Sequence, residues 1–255
     1  MTKGNILRRN PWLVGFECNE RVSLRLFCFP YAGGGALVYR DWHRILPANI
    51  GVYAAQLPGR GDRLAEPPFL DLPALIESLT EAVQSDLDKP FAFFGHSMGA
   101  LVAFELARKL RDEYGVEPAH LFVSGRRAPQ LRDSDPVTYN LEDAKFIEEL
   151  RRLNGTPRVM LENPELMELM GPTLRADFQI CQTYVYTDSP PLRCPIAVFG
   201  GLQDEDITRE NLQPWQNHTS GSFTLRLLPG DHFFLHSSEA ILLRLIAKEL
   251  QQLIT

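Results

Sequence analysis

Ser97 sits at the centre of Gly95-His96-Ser97-Met98-Gly99, with the apolar run Phe91-Ala92-Phe93-Phe94 before it and a helix-like pattern at 100–107 after it. Strand, Gly-x-Ser-x-Gly, helix is the setting of a nucleophile elbow, which presents a serine hydroxyl to an acyl carbon from a sharp turn. So tight a turn leaves no room for bulk two residues to either side of the serine, and glycine meets that need. The helix that follows aims its first backbone N–H groups and its dipole at the same point, where they stabilise a developing oxyanion. The bare pattern also occurs by chance in loops; the strand before it and the helix after it favour the elbow.

A serine at its ordinary pKa needs a base, and the base needs an acid to orient it. In the α/β-hydrolase arrangement the chain order is serine, acid, histidine, the last two on loops after late strands. Of the six histidines, His232 meets this condition, since it follows the strand-like run 223–228 and the turn Pro229-Gly230-Asp231. His96 adjoins the serine, but the elbow turns its side chain away. His120 opens a strand and His218 lies in a polar stretch, so structural roles suffice for both. His236 lies four residues after His232 and raises a His-x-x-x-His metal pair; no further ligand accompanies it, so no metal is expected. The acid belongs after the run 196–199, where Asp204, Glu205 and Asp206 are available. Asp204 comes soonest after the strand and is preferred, with Asp206 second. The other half of an oxyanion hole belongs on the loop after an early strand, here Phe29-Pro30-Tyr31-Ala32-Gly33-Gly34-Gly35, so the backbone amides of Ala32 and Met98 are assigned to it. Neither a Gly-x-Gly-x-x-Gly nor a Lys-Ser/Thr phosphate loop is present, which argues against a nucleotide there.

These residues need a scaffold that brings distant loops together. The chain has 255 residues, 44% hydrophobic and 23% charged, enough for one α/β domain with a substantial core, residues 1–255. Strand-like runs at 24–29, 52–57, 91–94, 120–124, 196–199 and 223–228 alternate with helical patterns at 72–87, 100–110 and 240–253. That alternation predicts a mostly parallel central sheet flanked by helices. The rhythm breaks between 125 and 195, an interval too long for one crossover helix. It holds a helical pattern at 145–153 that stops at Asn154-Gly155, and a second opened by Asn163-Pro164-Glu165 over 166–170. Leu174, Phe178 and Cys181 mark a third. Residues 128–190 are therefore expected to form a helical insertion that acts as a lid, with Met160, Met167, Met170 and Phe178 as candidate acyl-pocket residues. The net charge of −6 carries no basic excess for nucleic acid or an anionic membrane. No stretch is long and apolar enough for a membrane span, and residues 1–11 lack the apolar core of a signal peptide. Cys18, Cys28, Cys181 and Cys194 are scattered, as expected of free thiols in a reducing cytoplasm.

With these residues placed, the chain resembles the stand-alone type II thioesterases of non-ribosomal peptide and polyketide assembly lines, from about residue 24 to the C-terminus. The resemblance rests on Phe29-Pro-Tyr-Ala-Gly-Gly, Leu57-Pro-Gly-Arg-Gly-Asp-Arg, Gly95-His-Ser-Met-Gly-Ala, Leu174-Arg-Ala-Asp-Phe, Gly201-x-x-Asp204 and Gly230-Asp-His-Phe-Phe. It implies an α/β-hydrolase fold with nucleophile, acid and base at Ser97, Asp204 and His232. It implies hydrolysis of acyl groups from the phosphopantetheine arm of an acyl or peptidyl carrier protein, with no cofactor beyond the one the substrate carries, by a protein expected to be monomeric. Tyr31 departs from the family's frequent histidine; since the hole uses backbone amides, the entrance should change more than the chemistry. Arg60, Arg63, Arg126 and Arg127, on loops expected near the top of the sheet, are candidates for greeting the carrier. A medium-chain fatty acyl thioesterase and a general carboxylesterase share the machinery. A malonyl-type acyltransferase would need an early Gly-Gln-Gly loop that is absent, and a catalytically idle carrier-binding module predicts a broken triad.

Overall fold

The structure, a computed structural model, describes residues 10–16, 21–131 and 136–253; the basic N-terminal stretch, Cys18 and residues 132–135 of the expected insertion lie outside the described residues. Among the described residues seven strands form one sheet: β1 Leu13–Phe16, β2 Leu24–Phe29, β3 Ile50–Ala55, β4 Phe91–His96, β5 Leu121–Ser124, β6 Ile196–Gly201 and β7 Phe223–Leu228. Their spatial order is β1-β3-β2-β4-β5-β6-β7, with every pair parallel except β1 against β3. This is the mostly parallel sheet with flanking helices expected of an α/β-hydrolase fold. The short edge strand β1 escapes the sequence pattern, because four residues carry too little periodicity and their pairing to β3 is non-local. The expected run at 52–57 begins and ends two residues earlier.

Side chains of the central strands alternate between two cores. Phe27, Phe29, Phe93, Val123 and Val198 pack with α1 (Leu72–Val83) and α2 (Met98–Tyr114) on one face. Leu26, Cys28, Phe94, Phe122 and Phe199 share the other face with Trp42 and Leu243. Both faces are covered, so the strands read as continuous apolar runs.

The interval between β5 and β6 is helical: α3 Asp143–Leu153, α4 Arg158–Leu161 and α5 Pro164–Thr183. Asn154 ends α3 in the left-handed conformation, φ 54°, and the Asn163 side chain accepts from the N–H groups of Glu165 and Leu166 at the start of α5. The second and third expected helices are one. Pro172 lies inside a helix that continues through it, because Leu174, Ala176 and Ile180 bury the far half and tertiary packing outweighs the lost backbone hydrogen bond. Phe146, Leu150, Leu161 and Leu174 form a small core of their own under these helices. Two short helices, α6 Arg209–Leu212 and α7 Phe234–Ser237, precede the long C-terminal α8, Glu239–Gln251. No described helix is long and apolar enough to cross a membrane.

The register positions the chemistry. Phe29 lies beside Gly95, His96 beside Ser124, Ser124 beside Phe199, and Gly201 beside Leu228. The carboxyl ends of five neighbouring strands therefore reach one edge, and the loops carrying residues 30–35, 97, 125–127, 202–207 and 229–233 leave from it.

Candidate active site

Ser97 joins β4 to α2 with φ 53° and ψ −114°, a conformation an L-residue adopts only where its surroundings impose it. Its amide donates to Ser124 O at 2.8 Å, and its carbonyl accepts from Ala100 N–H at 3.0 Å. The glycines answer to space. A Cβ on Gly95 would lie 2.0 Å from the carbonyl oxygen of Gly99, and one on Gly99 would lie 1.9 Å from that of Phe29. The elbow is thus pressed against the end of β2, from which the loop bearing Ala32 departs. Among the described residues no protein acceptor takes the amide of Ala32 or of Met98; Ala32 lines the same cavity as Ser97, and the Met98 side chain is buried in the core.

His96 turns away from the serine. Its ring is fully buried, with Nδ1 hydrogen-bonded to Ser124 Oγ at 2.8 Å. Burial above all, and then His232 and His236 nearby, hold its pKa well below the ordinary imidazole value, so it stays neutral.

The loops after β6 and β7 run in contact. A Cβ on Gly201 would sit 2.3 Å from Asp231 O, and Gln203 N–H donates to Gly230 O at 2.9 Å. Between them His232 Nδ1–H donates to Asp204 Oδ2 at 2.7 Å, while Asp204 Oδ1 accepts the amides of Asp206 and Ile207 at 3.1 and 3.0 Å. The carboxylate is 1% exposed and the imidazole 23%. Asp206 lines the cavity that Ser97 shares, but its carboxylate pairs with Arg152 at 3.2 Å. His236 accompanies Tyr31, whose hydroxyl lies 3.1 Å from its Nε2. Among the described residues no group of three or more His, Cys, Asp or Glu side chains is close enough to hold a metal ion.

Ser97, His232 and Ala32 line one cavity of about 150 Å³. Leu150, Leu153, Leu174 and Phe178 of the helical insertion and Phe233 contribute apolar lining, and Arg126, Glu149, Arg152, Gln182 and Asp206 contribute polar lining. Of the four acyl-pocket candidates Phe178 lines this cavity. Met160, Met167 and Met170 do not; Met167 packs against the insertion's own small core. Among the described residues no hydrogen bond joins Ser97 Oγ to His232; the two share the cavity wall, and such contacts tighten when substrate fills the site.

Two of the arginines expected to greet a partner are structural. Arg60 is 3% exposed in an ion pair with Asp177, and Arg63 is 8% exposed, bonded to Gln56 O and Glu66. The loop after β3 carries Arg60 under α5 to Asp177 and lays Arg63 over the Trp12 ring at 4.1 Å, which removes both from the surface. Arg127 is buried as well, and both it and the half-buried Arg126 line the cavity. The sequence alone points to no role of its own for Asp177, although it falls in the Leu174-Arg-Ala-Asp-Phe stretch that carries the resemblance.

The thioesterase domain family matches residues 24–250. Linear gramicidin dehydrogenase LgrE of Brevibacillus parabrevis is 49% identical over 243 residues, covering 94% of this chain and 92% of that protein. Gramicidin S biosynthesis protein GrsT of Aneurinibacillus migulanus is 45% identical over 242 residues, covering 95% and 94%. The solved structure of the type II thioesterase BorB from the borrelidin biosynthetic cluster superposes with a TM-score of 0.86 at 36% identity, covering 94% of this chain and 97% of that one.

Proposed function

The chain belongs to the thioesterase domain family, and from that premise we propose that it is an editing serine thioesterase of a non-ribosomal peptide or polyketide synthase. Its substrates are acyl groups held as thioesters on the phosphopantetheine arm of acyl or peptidyl carrier proteins. What supports this reading above all is the 2.7 Å contact between Asp204 and His232, at a cavity that Ser97 shares.

With Nδ1–H committed to Asp204, the free Nε2 of His232 is the basic nitrogen. It takes the Ser97 proton as Oγ attacks the thioester carbonyl. The amides of Ala32 and Met98 hold the oxyanion, Met98 at the N-terminal end of α2. The tetrahedral adduct collapses, the C–S bond breaks, and the imidazolium returns its proton to the pantetheine sulfur. Water, deprotonated by His232, then attacks the acyl-serine; the carboxylic acid leaves and Ser97 regains its proton. Asp204 stays ionised throughout and stabilises the transient imidazolium. The chemistry calls for no cofactor of the enzyme's own. The helices α3, α4 and α5 of the insertion act as the lid of the α/β-hydrolase domain, in a monomeric cytoplasmic enzyme with neither nucleic acid nor membrane as partner.

The test is a panel of acyl-carrier proteins with matched acyl-CoA thioesters and oxygen esters. Ser97→Ala should retain its melting temperature and lose turnover by at least about 10³-fold; undiminished turnover refutes the nucleophile. Preference for carrier-bound thioesters supports editing. Preference for oxygen esters makes the protein a carboxylesterase, and preference for medium-chain fatty acyl carriers moves it to fatty-acid release. LgrE's dehydrogenase name is a statement about that protein; nicotinamide consumption with these thioesters, followed at 340 nm, would carry that reaction class to this chain.

A further inference from the structure

Asp177 lies in the second half of α5, 1% exposed, with both carboxylate oxygens engaged. Oδ2 accepts the Gly33 amide at 2.7 Å and Arg60 Nη1 at 2.6 Å, and Oδ1 accepts Arg60 Nη2 at 2.8 Å. The same Nη1 donates to Gly34 O at 3.1 Å. The Arg60 carbonyl accepts from Gln56 Nε2 at 2.7 Å, and Gln56 Oε1 accepts the Ala36 amide at 2.8 Å. One buried fork-to-fork ion pair therefore grips residues 33 and 34, the far side of the turn that carries Ala32, and Gln56 ties Ala36 to the Arg60 main chain.

That grip sets the direction of one N–H. Gly34 N–H donates to Tyr31 O at 2.9 Å, which fixes the Tyr31–Ala32 peptide plane. In a planar trans peptide the amide hydrogen points opposite to the carbonyl oxygen. The Ala32 N–H accordingly points away from the turn it closes. A second contact presses the same helix on the same place: Gly33, at φ +76°, has Leu174 Cδ2 2.5 Å from where a Cβ would be, while Thr173 Oγ1 donates to Gly59 O at 2.7 Å on the neighbouring loop after β3, the loop that carries Arg60. Residues 173–177 of α5 are thus locked to the loops after β2 and β3, although α5 belongs to the helical insertion.

We infer that Asp177 is a positioning residue for the reaction: through Gly33 and Arg60 it holds the Ala32 amide in the direction the oxyanion requires. This rests on the assignment of Ser97 and of the two amides made above. The insertion is then divided in function, the second half of α5 being part of the oxyanion device and fixed, so that only α3, α4 and the first half of α5, before Pro172, are left to move. A loosened clamp weakens transition-state binding and leaves ground-state binding unaffected.

The decisive variant is Arg60→Met/Asp177→Leu. It removes both charges together and avoids stranding one in the interior, as Asp177→Ala would. Asp177→Asn keeps an acceptor for the Gly33 amide and should restore part of the activity. Three quantities are read: kcat and KM for an acyl-N-acetylcysteamine thioester, the Ki of an alkyl trifluoromethyl ketone that adds reversibly to a reactive serine, and the melting temperature. The folded double variant should lose about 10- to 100-fold in kcat, less than full removal of a donor because the amide is misaimed rather than absent. KM should stay within about threefold, and the ketone Ki should rise by the factor by which kcat/KM falls. Wild-type kcat in the folded double variant, a loss confined to KM, or an unmoved Ki overturns the inference. If the double variant does not fold, Asp177→Asn decides by the same correlation of kcat with Ki. A wild-type protein indifferent to the ketone would instead overturn the serine assignment, and this inference with it.

Discussion

Asp204→Asn asks whether the imidazole works through its tautomer. The substitution is nearly isosteric. Oδ1 can go on accepting the amides of Asp206 and Ile207, so the loop keeps its shape. The group facing His232 Nδ1 at 2.7 Å, however, becomes an NH2 donor. Nδ1 must then accept, which moves the ring hydrogen to Nε2 and leaves no lone pair there for the Ser97 proton. The same change also removes the charge that stabilises the imidazolium. Together these cost about 10⁴-fold in kcat in a serine-histidine-aspartate site, or about 5.4 kcal/mol of transition-state stabilisation. Asp206→Asn is the internal control: it touches an ion pair whose side chains are 38% and 51% exposed, so kcat should change by less than about threefold. The assay is steady-state hydrolysis of an acyl-CoA with thiol release followed spectrophotometrically, alongside thermal melts of both variants. The reasoning is refuted if folded Asp204→Asn retains more than a tenth of wild-type kcat, or if Asp206→Asn is the crippled variant.

Other consequences are equally open to measurement. Gly99→Ala should yield insoluble or inactive protein, since its Cβ would meet the Phe29 carbonyl at 1.9 Å, backbone against backbone. Gly171→Ala, by contrast, meets nothing within 4 Å on a helix and should raise stability by about 0.5–1 kcal/mol in urea titrations; an unfolded Gly171→Ala or an active Gly99→Ala contradicts the packing described. His120, stacked on Phe122 and set between Glu249 and Arg226, has its pKa lowered to about 4, chiefly by burial. The unfolded chain therefore binds a proton that the native state refuses. Stability from this group is fully present above about pH 6.5 and declines as the pH falls from there toward 4. His218, lowered to about 4 by burial with Arg108 adding to it, acts in the same direction. His120→Gln should flatten the fall in urea midpoint between pH 7 and 5, and an unchanged slope would place the acid sensitivity elsewhere.

The sheet was legible because buried parallel strands are uniformly apolar and turn residues punctuate them; β2 and β7 run over the residues the pattern names. The elbow was legible because its Gly-x-Ser-x-Gly spacing is one short contiguous signal: Gly95 answers to Gly99 within the turn, although Gly99 answers to the carbonyl of Phe29 on β2. Where signals were short or non-local the sequence fell silent. Leu13–Phe16 pairs with a strand some forty residues away, and α5 runs through Pro172 because its far half is buried against distant loops. Arg60 and Arg63 look like solvated loop charges in one dimension and are buried in three.

What the sequence by itself determined is the set of chemical types and their order: a serine in a turn that excludes side chains, an acid and a histidine after late strands, and glycines where backbones must touch. Only the tertiary structure decided which of two acids two residues apart faces the imidazole, and that an aspartate on the inserted helix grips the loop carrying Ala32. The physical reason is range. Turn geometry and strand periodicity are written in neighbouring residues, whereas a hydrogen bond between Asp204 and His232, or between Asp177 and Gly33, depends on how separate segments pack, and one residue of register changes which side chain arrives.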